Sequence, residues 1–175
     1  MTGSKIIIIF ISLFVISKSL FAQKIKLEAE NFAASNVFMS LEKMEGKKVV
    51  KVIADTSIKT FDEPTFVKIK GIHFKNGTIE IKVLSRLIAT APDWARGFIG
   101  LAFRIDDNNT KFESIYIRPT NGRADNQVRR NHSVQYFAFP DYKFERLRKE
   151  SPELYESYAD MGLNEWITVK IEVQG

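Results

Sequence analysis

Two stretches of this chain alternate apolar and polar residues with a period of two, and nothing else in the sequence limits the fold as much. Ile79, Ile81 and Val83 are interleaved with Glu80 and Lys82. Ile167, Val169, Ile171 and Val173 are interleaved with Thr168, Lys170 and Glu172. Successive side chains of a strand leave through opposite faces, so both stretches read as half-buried strands. Asn76-Gly77, just ahead of the first, is a turn signal. Residues 97–105 (GFIGLAFRI) are apolar on both faces until Arg104 and read as a central strand, where Gly97 and Gly100 mark a close neighbour or a bulge. The Asp106-Asp107-Asn108-Asn109 turn then sends the chain back through 112–118 (FESIYIR) as a hairpin.

Residues 134–139 form a further expected strand, stopped by Pro140, and more are expected at 25–32, 48–54 and 65–72. One short helix is expected near 152–160. Ser151 would cap it, Pro152 would take its first position, Glu153 would sit at its positive end and Gly162 would close it. Many strands, one helix and frequent turns argue for an all-β fold, an antiparallel β-sandwich.

The first 22 residues read as a cleaved secretory signal peptide. Lys5 supplies the positive start, residues 6–16 are apolar except for Ser12, and Ala22 ends the segment. The rival reading is an uncleaved anchor, but the run is shorter than the ~20 apolar residues a spanning helix needs. The expected location is therefore secreted or periplasmic, with no membrane attachment after cleavage; without cysteine the chain also has no site for a lipidated Cys.

Residues 23–175 are long enough for one domain with a core of its own and need no disulfide staples. The charge of the full chain is +5, and losing Lys5 and Lys18 with the leader leaves 24 basic against 21 acidic residues, or +3. So small an excess does not point to nucleic acid. At the other end, 166–173 reads as an internal strand and Gln174-Gly175 as the opening of a turn, so the chain is expected to be a fragment, its sandwich incomplete at the C-terminus.

Functional residues concentrate in 118–136 (RPTNGRADNQVRRNHSVQY), where arginines, amides and a histidine crowd between two strands. Such planar hydrogen-bonding groups suit sugar hydroxyls and carboxylates. Asn121-Gly122 reads as a turn flanked by Arg118 and Arg123, with Arg129-Arg130-Asn131-His132 leading into the next strand. Extended geometry there would put Arg130 and His132 on one face and Arg129 and Asn131 on the other. The expected ligand contacts are Arg118, Asn121, Arg123, Gln127, Arg130, His132 and Tyr136. The competing reading is a loop that satisfies its own polar groups.

Trp94, in the loop PDWAR, is either a platform for a sugar ring or a lid over the core. Glu80 and Glu113 are candidate paired carboxylates, competing with a reading as cross-strand partners for Lys or Arg. His132 could serve as a general base, yet no nucleophile signature surrounds it. No cofactor and no metal are expected, since His73 and His132 lack ligand spacing. A structural calcium at Asp106 to Asn109 is conceivable, but the turn lacks the Gly and distal Glu of a calcium loop.

The run ARGFIGLAFRIDD…FESIYIRPTNGRADNQVRRNHSVQY, with the later Trp166 strand, resembles secreted bacterial concanavalin A-like jelly-roll domains, among them laminin-G-like sugar-binding modules and the 3-keto-disaccharide hydrolase family. The resemblance covers roughly 74–173. It implies two curved antiparallel sheets, one with a concave face that binds glycans. The hydrolase-type family often shows Asn-Ser-Gly-Ile leading to Leu-Arg; here the comparable stretch is Glu113-Ser114-Ile115-Tyr116-Ile117-Arg118, and only Arg118 corresponds. No catalytic residue is carried over. Such jelly rolls also continue for several strands past the point where this chain stops.

Three functions are thus compatible with the sequence. One is a carbohydrate-binding module, another a glycoside hydrolase using Glu80 or Glu113, and the last a surface domain that binds protein.

Overall fold

The computed structural model describes residues 23–60 and 62–175. The expected signal peptide at 1–22 lies outside them. Among the described residues, no helix is long and apolar enough to cross a membrane.

Among the described residues the fold is mostly β, with antiparallel pairing throughout and three short α-helices. In the same residues the strands form three two-stranded sheets and a four-stranded one. β1 (Phe32–Ser35) pairs with β4 (Phe66–Ile69), β2 (Val37–Met44) with β3 (Lys47–Ala54), and β5 (Gly77–Leu84) with β10 (Trp166–Val173). The four-stranded sheet runs β6 (Ile99–Phe103), β7 (Phe112–Ile117), β8 (Val134–Phe139), β9 (Glu156–Ser157).

The alternating segments end up where their periodicity places them. β5 and β10 lie side by side, Ile79 opposite Ile171 and Val83 opposite Ile167. Their apolar side packs against one face of the four-stranded sheet. Phe103, Ile171 and Val173 form one buried group with Leu101 and Ile115, and Val83, Ile117 and Met161 form another with Ile99 and Val134. This sheet-on-sheet contact is the sandwich core, held by burial of apolar area.

The second face of the four-stranded sheet carries Gly100, Ala102, Phe112, Ser114, Tyr116, Gln135 and Phe137. One end of it is covered. Phe112 meets Phe66 of β4 edge-on at 5.2 Å and stacks on Phe139 at 5.0 Å, and Leu147 closes the group. The other end forms a row across all four strands: Gly100, Tyr116, Gln135 and Glu156. Gly100 has to be glycine here, because a Cβ would collide with the Ile115 carbonyl and the Tyr116 backbone.

Several elements differ from what the sequence suggests. The helix expected near 152–160 lies earlier, as α3 (Phe144–Glu150). Ser151 closes that helix instead of opening one. Its backbone has left the helical region (φ −146°, ψ 69°), as the following proline requires, and its N–H bonds the Leu147 carbonyl. Glu145 in the first turn and Arg148 and Lys149 in the last oppose the helix dipole correctly.

The polar loop after β7 is also helical in part, as α1 (Pro119–Gly122) and α2 (Gln127–Asn131). Pro119 starts α1, and the Asn126 side chain caps α2 by accepting from the Arg129 N–H at 3.0 Å. The extended alternation expected for 129–133 therefore does not apply. The strand expected at 25–32 begins only at Phe32. Before it the Asn31 amide folds back onto the Lys26 carbonyl at 3.0 Å and a 3-10 turn forms over Ala29–Asn31. The Asp106 turn is tied by its own neighbours: Thr110 donates to both Asp106 carboxylate oxygens, and Lys68 reaches Asn109 at 3.2 Å.

Candidate functional site

The row Gly100–Tyr116–Gln135–Glu156 ends beside Arg118, the first residue past β7, and here the ionisable groups gather. The Arg118 and Glu156 side chains are only 7% and 3% exposed, and their closest approach is 3.3 Å. Arg118 also donates to the His132 carbonyl at 2.9 Å, the Tyr116 hydroxyl at 2.8 Å and the Gln135 amide oxygen at 3.2 Å. Arg148, reaching across from α3, gives Glu156 a two-pronged contact at 2.8 and 2.5 Å. His132 Nε2 lies 3.5 Å from the same carboxylate.

A buried carboxylate and guanidinium are tolerated only where each is paired and their remaining donors and acceptors are filled. Gln135, completely buried, fills them: its amide donates to the Tyr136 and Tyr155 carbonyls while its oxygen receives Arg118. Burial pushes the Glu156 carboxyl up, but Arg148, His132 and Arg118 outweigh it and hold it below the ordinary glutamate range. Burial pushes the Tyr116 hydroxyl up, so it stays protonated while its oxygen accepts from Arg118. Burial likewise raises the carboxyl of Asp62, whose Oδ2 accepts the Phe144 N–H at 3.2 Å and which feels the charge of Arg118.

The cluster has an accessible rim. Arg148 and His132 are 36% and 25% exposed at the side chain. Phe98, 47% exposed, lies under the Arg118 guanidinium at 5.9 Å and meets Tyr116 edge-on at 5.9 Å. Arg129 is exposed and reaches the Asn121 amide oxygen at 3.4 Å. Asn121 is itself buried and donates to the His132 carbonyl at 3.2 Å. Tyr116, Arg118, His132 and Arg148, with Asp62 and Phe98, border a wide surface cleft.

Of the residues singled out by sequence, Arg118, Asn121 and His132 meet in this cluster. The others do not. Arg123 turns to Asp160 at 2.8 Å and Glu165 at 3.1 Å. Arg130 donates to the Ala124 and Asp125 carbonyls and to Gln127, which itself bonds Asn131. Tyr136 projects from the opposite face of the sheet, donating to Glu113 at 2.9 Å and stacking on Tyr155. Much of the polar block thus satisfies its own backbone and neighbours.

Trp94 is exposed in its loop and borders the same cleft. Glu113 is paired with Arg104 at 2.7 Å, and Glu80 lies on β5 opposite Lys170, so the two carboxylates sit on different sheets. No group of three or more His, Asp or Glu able to hold a metal occurs among the described residues.

Sequence reading missed Glu156, Arg148, Asp62 and Tyr116. One signal was present: Ser114, Tyr116 and Arg118 place polar groups at every second position of a strand whose other side is Ile115 and Ile117.

The imidazole of His132 gives a direct test. Burial holds its pKa below the ordinary 6.5, against the opposing pull of Glu156. Below pH 6.5 the unfolded chain takes up a proton that the folded chain refuses, so stability falls as pH drops towards the folded pKa. The melting temperature of the native protein, measured relative to His132→Gln, should therefore decline between about pH 8 and 5. A difference that stays flat across that window would show that His132 titrates normally. Compared with protein-family models, curated proteins and solved structures, the chain matches none.

Proposed function

We propose that this protein is a secreted or periplasmic carbohydrate-binding module, a β-sandwich of the jelly-roll kind, whose ligand lies over the second face of the four-stranded sheet. The observation that carries the reading is the Arg118–Glu156–Arg148 cluster, buried at its back and open at its rim beside the exposed ring of Phe98. Sugars are gripped by fixed polar donors next to an apolar ring face, because a pyranose offers hydroxyls around its edge and C–H groups on its flat side. Buried Gln135 and Glu156 hold the arginines in place, so little ordering is needed on binding. The leader-like start of the chain supports export.

Calorimetric titration against a panel of neutral and acidic oligosaccharides tests this. At least one should bind. Phe98→Ala and Arg148→Ala should each weaken it about tenfold or more, the loss of one aromatic platform or one charge-assisted hydrogen bond. If no oligosaccharide binds, or both variants bind like the native protein, the reading is wrong.

A further inference from the structure

The partners at the site are unequally shared. Glu156 is shared by two guanidinium groups, those of Arg118 and Arg148. A third, Arg129, has no ion-pair partner among the described residues; its recorded contact is the neutral Asn121 amide at 3.4 Å. Asp62 is the other acidic group facing Arg118, and its hydrogen-bond partner is the Phe144 backbone. Glu145 acts on Asp62 and Glu153 on His132, so the excess is local: it lies in the donors of Arg129 and Arg148, while Glu156 and Asp62 sit behind the exposed rim. His132 and Tyr116 add no negative charge.

The accessible edge of this excess is Arg129 and Arg148. They flank His132 through different partners: Arg129 through Asn121, which bonds the His132 carbonyl, and Arg148 through Glu156, which lies beside the His132 ring. Arg148 spends Nε and Nη2 on Glu156, leaving Nη1 for another acceptor. On Arg129, Nε and Nη1 are uncommitted among the described residues. Guanidinium donors of fixed geometry favour a planar, two-oxygen anion over a hydroxyl.

We propose that the sugar bound at this site carries a ring carboxylate, that is, that the ligand is a uronic-acid-containing oligosaccharide. This rests on the carbohydrate reading above and adds the substrate class. The sugar ring lies against Phe98, and its carboxylate enters between Arg129 and Arg148 with His132 beneath. Since Arg129 is exposed, the attraction weakens as salt screens it.

The test uses matched pairs: oligogalacturonate, oligoalginate and hyaluronan fragments, each against the same fragment with its carboxyl groups reduced to primary alcohols. Titrations are run at low and high salt. At least one acidic fragment should bind at least tenfold tighter than its reduced counterpart, with the advantage shrinking in high salt. Arg129→Ala should erase most of that ratio, which is read within the one variant and so does not depend on any change in its overall affinity or stability. Acidic and reduced members binding equally, or only neutral glycans binding, would overturn the carboxylate assignment while leaving carbohydrate binding intact. An Arg129→Ala protein that keeps the full ratio would also overturn it. Failure of every glycan, acidic or neutral, would overturn both readings.

Discussion

Arg118→Ala should cost the protein about 3–5 kcal/mol, because it removes one partner from a buried ion pair and leaves the other behind. Glu156, with its side chain 3% exposed, would keep only Arg148 and the neutral His132 against it. The Gln135 amide oxygen would lose its donor at zero exposure, and the Tyr116 hydroxyl would lose its partner. For a chain of this length, that loss corresponds to a fall of roughly 6–20 °C in melting temperature. Removing both charges at once should be gentler: Arg118→Met combined with Glu156→Gln should retain more stability than Arg118→Ala alone. Thermal and urea unfolding would measure all three proteins. A drop of under about 2 °C for Arg118→Ala would mean that the cluster contributes little to the fold.

Phe112→Ala should be about as damaging, again roughly 3–5 kcal/mol, through lost apolar burial and the cavity left behind. Phe112 is the hub of an aromatic group, meeting Phe66 at 5.2 Å, Phe137 at 5.7 Å and Phe139 at 5.0 Å. Phe137 and Phe139 are fixed on β8 of the four-stranded sheet, so the space cannot readily collapse. Phe38 on β2 provides the contrast. It is 62% exposed, and its replacement by alanine should change stability by less than about 0.5 kcal/mol. Equal losses at the two positions would show that the Phe112 group is not packed as described.

The strands that could be read from sequence are those whose two faces differ. β5 and β10 show it plainly, since one side of each contacts the core and the other contacts water. β2 escaped notice because exposed Phe38 breaks its alternation, and so no clean apolar side stands out. The helix was displaced because Ser151-Pro152 resembles a start. The dipole-matched charges of Phe144–Glu150 and the Arg146–Glu150 pair at 2.9 Å were the better local signal.

The site was half legible. Arg118, Asn121 and His132 stand out by residue type within one short segment. Their partners do not, because Glu156 is 38 residues from Arg118 and joins it only through the pairing of β9 with β8. Nor does sequence tell which arginines face the cleft. Arg130 and Arg129 are neighbours, yet the first turns to its own loop's carbonyls and the second to Asn121.

β7 carries ionic groups on both sides. Glu113 meets Arg104 and Tyr136 on one, while Tyr116 and Arg118 serve the cleft on the other. The strand is a septum between two polar chambers, and the link across the sheet is Gln135, which receives Arg118 on one side and holds the Tyr136 and Tyr155 carbonyls of the residues that stack on the other. A change confined to the rim of one chamber, away from Gln135, therefore leaves the bracing of the other in place, whereas a change at Gln135 loosens both.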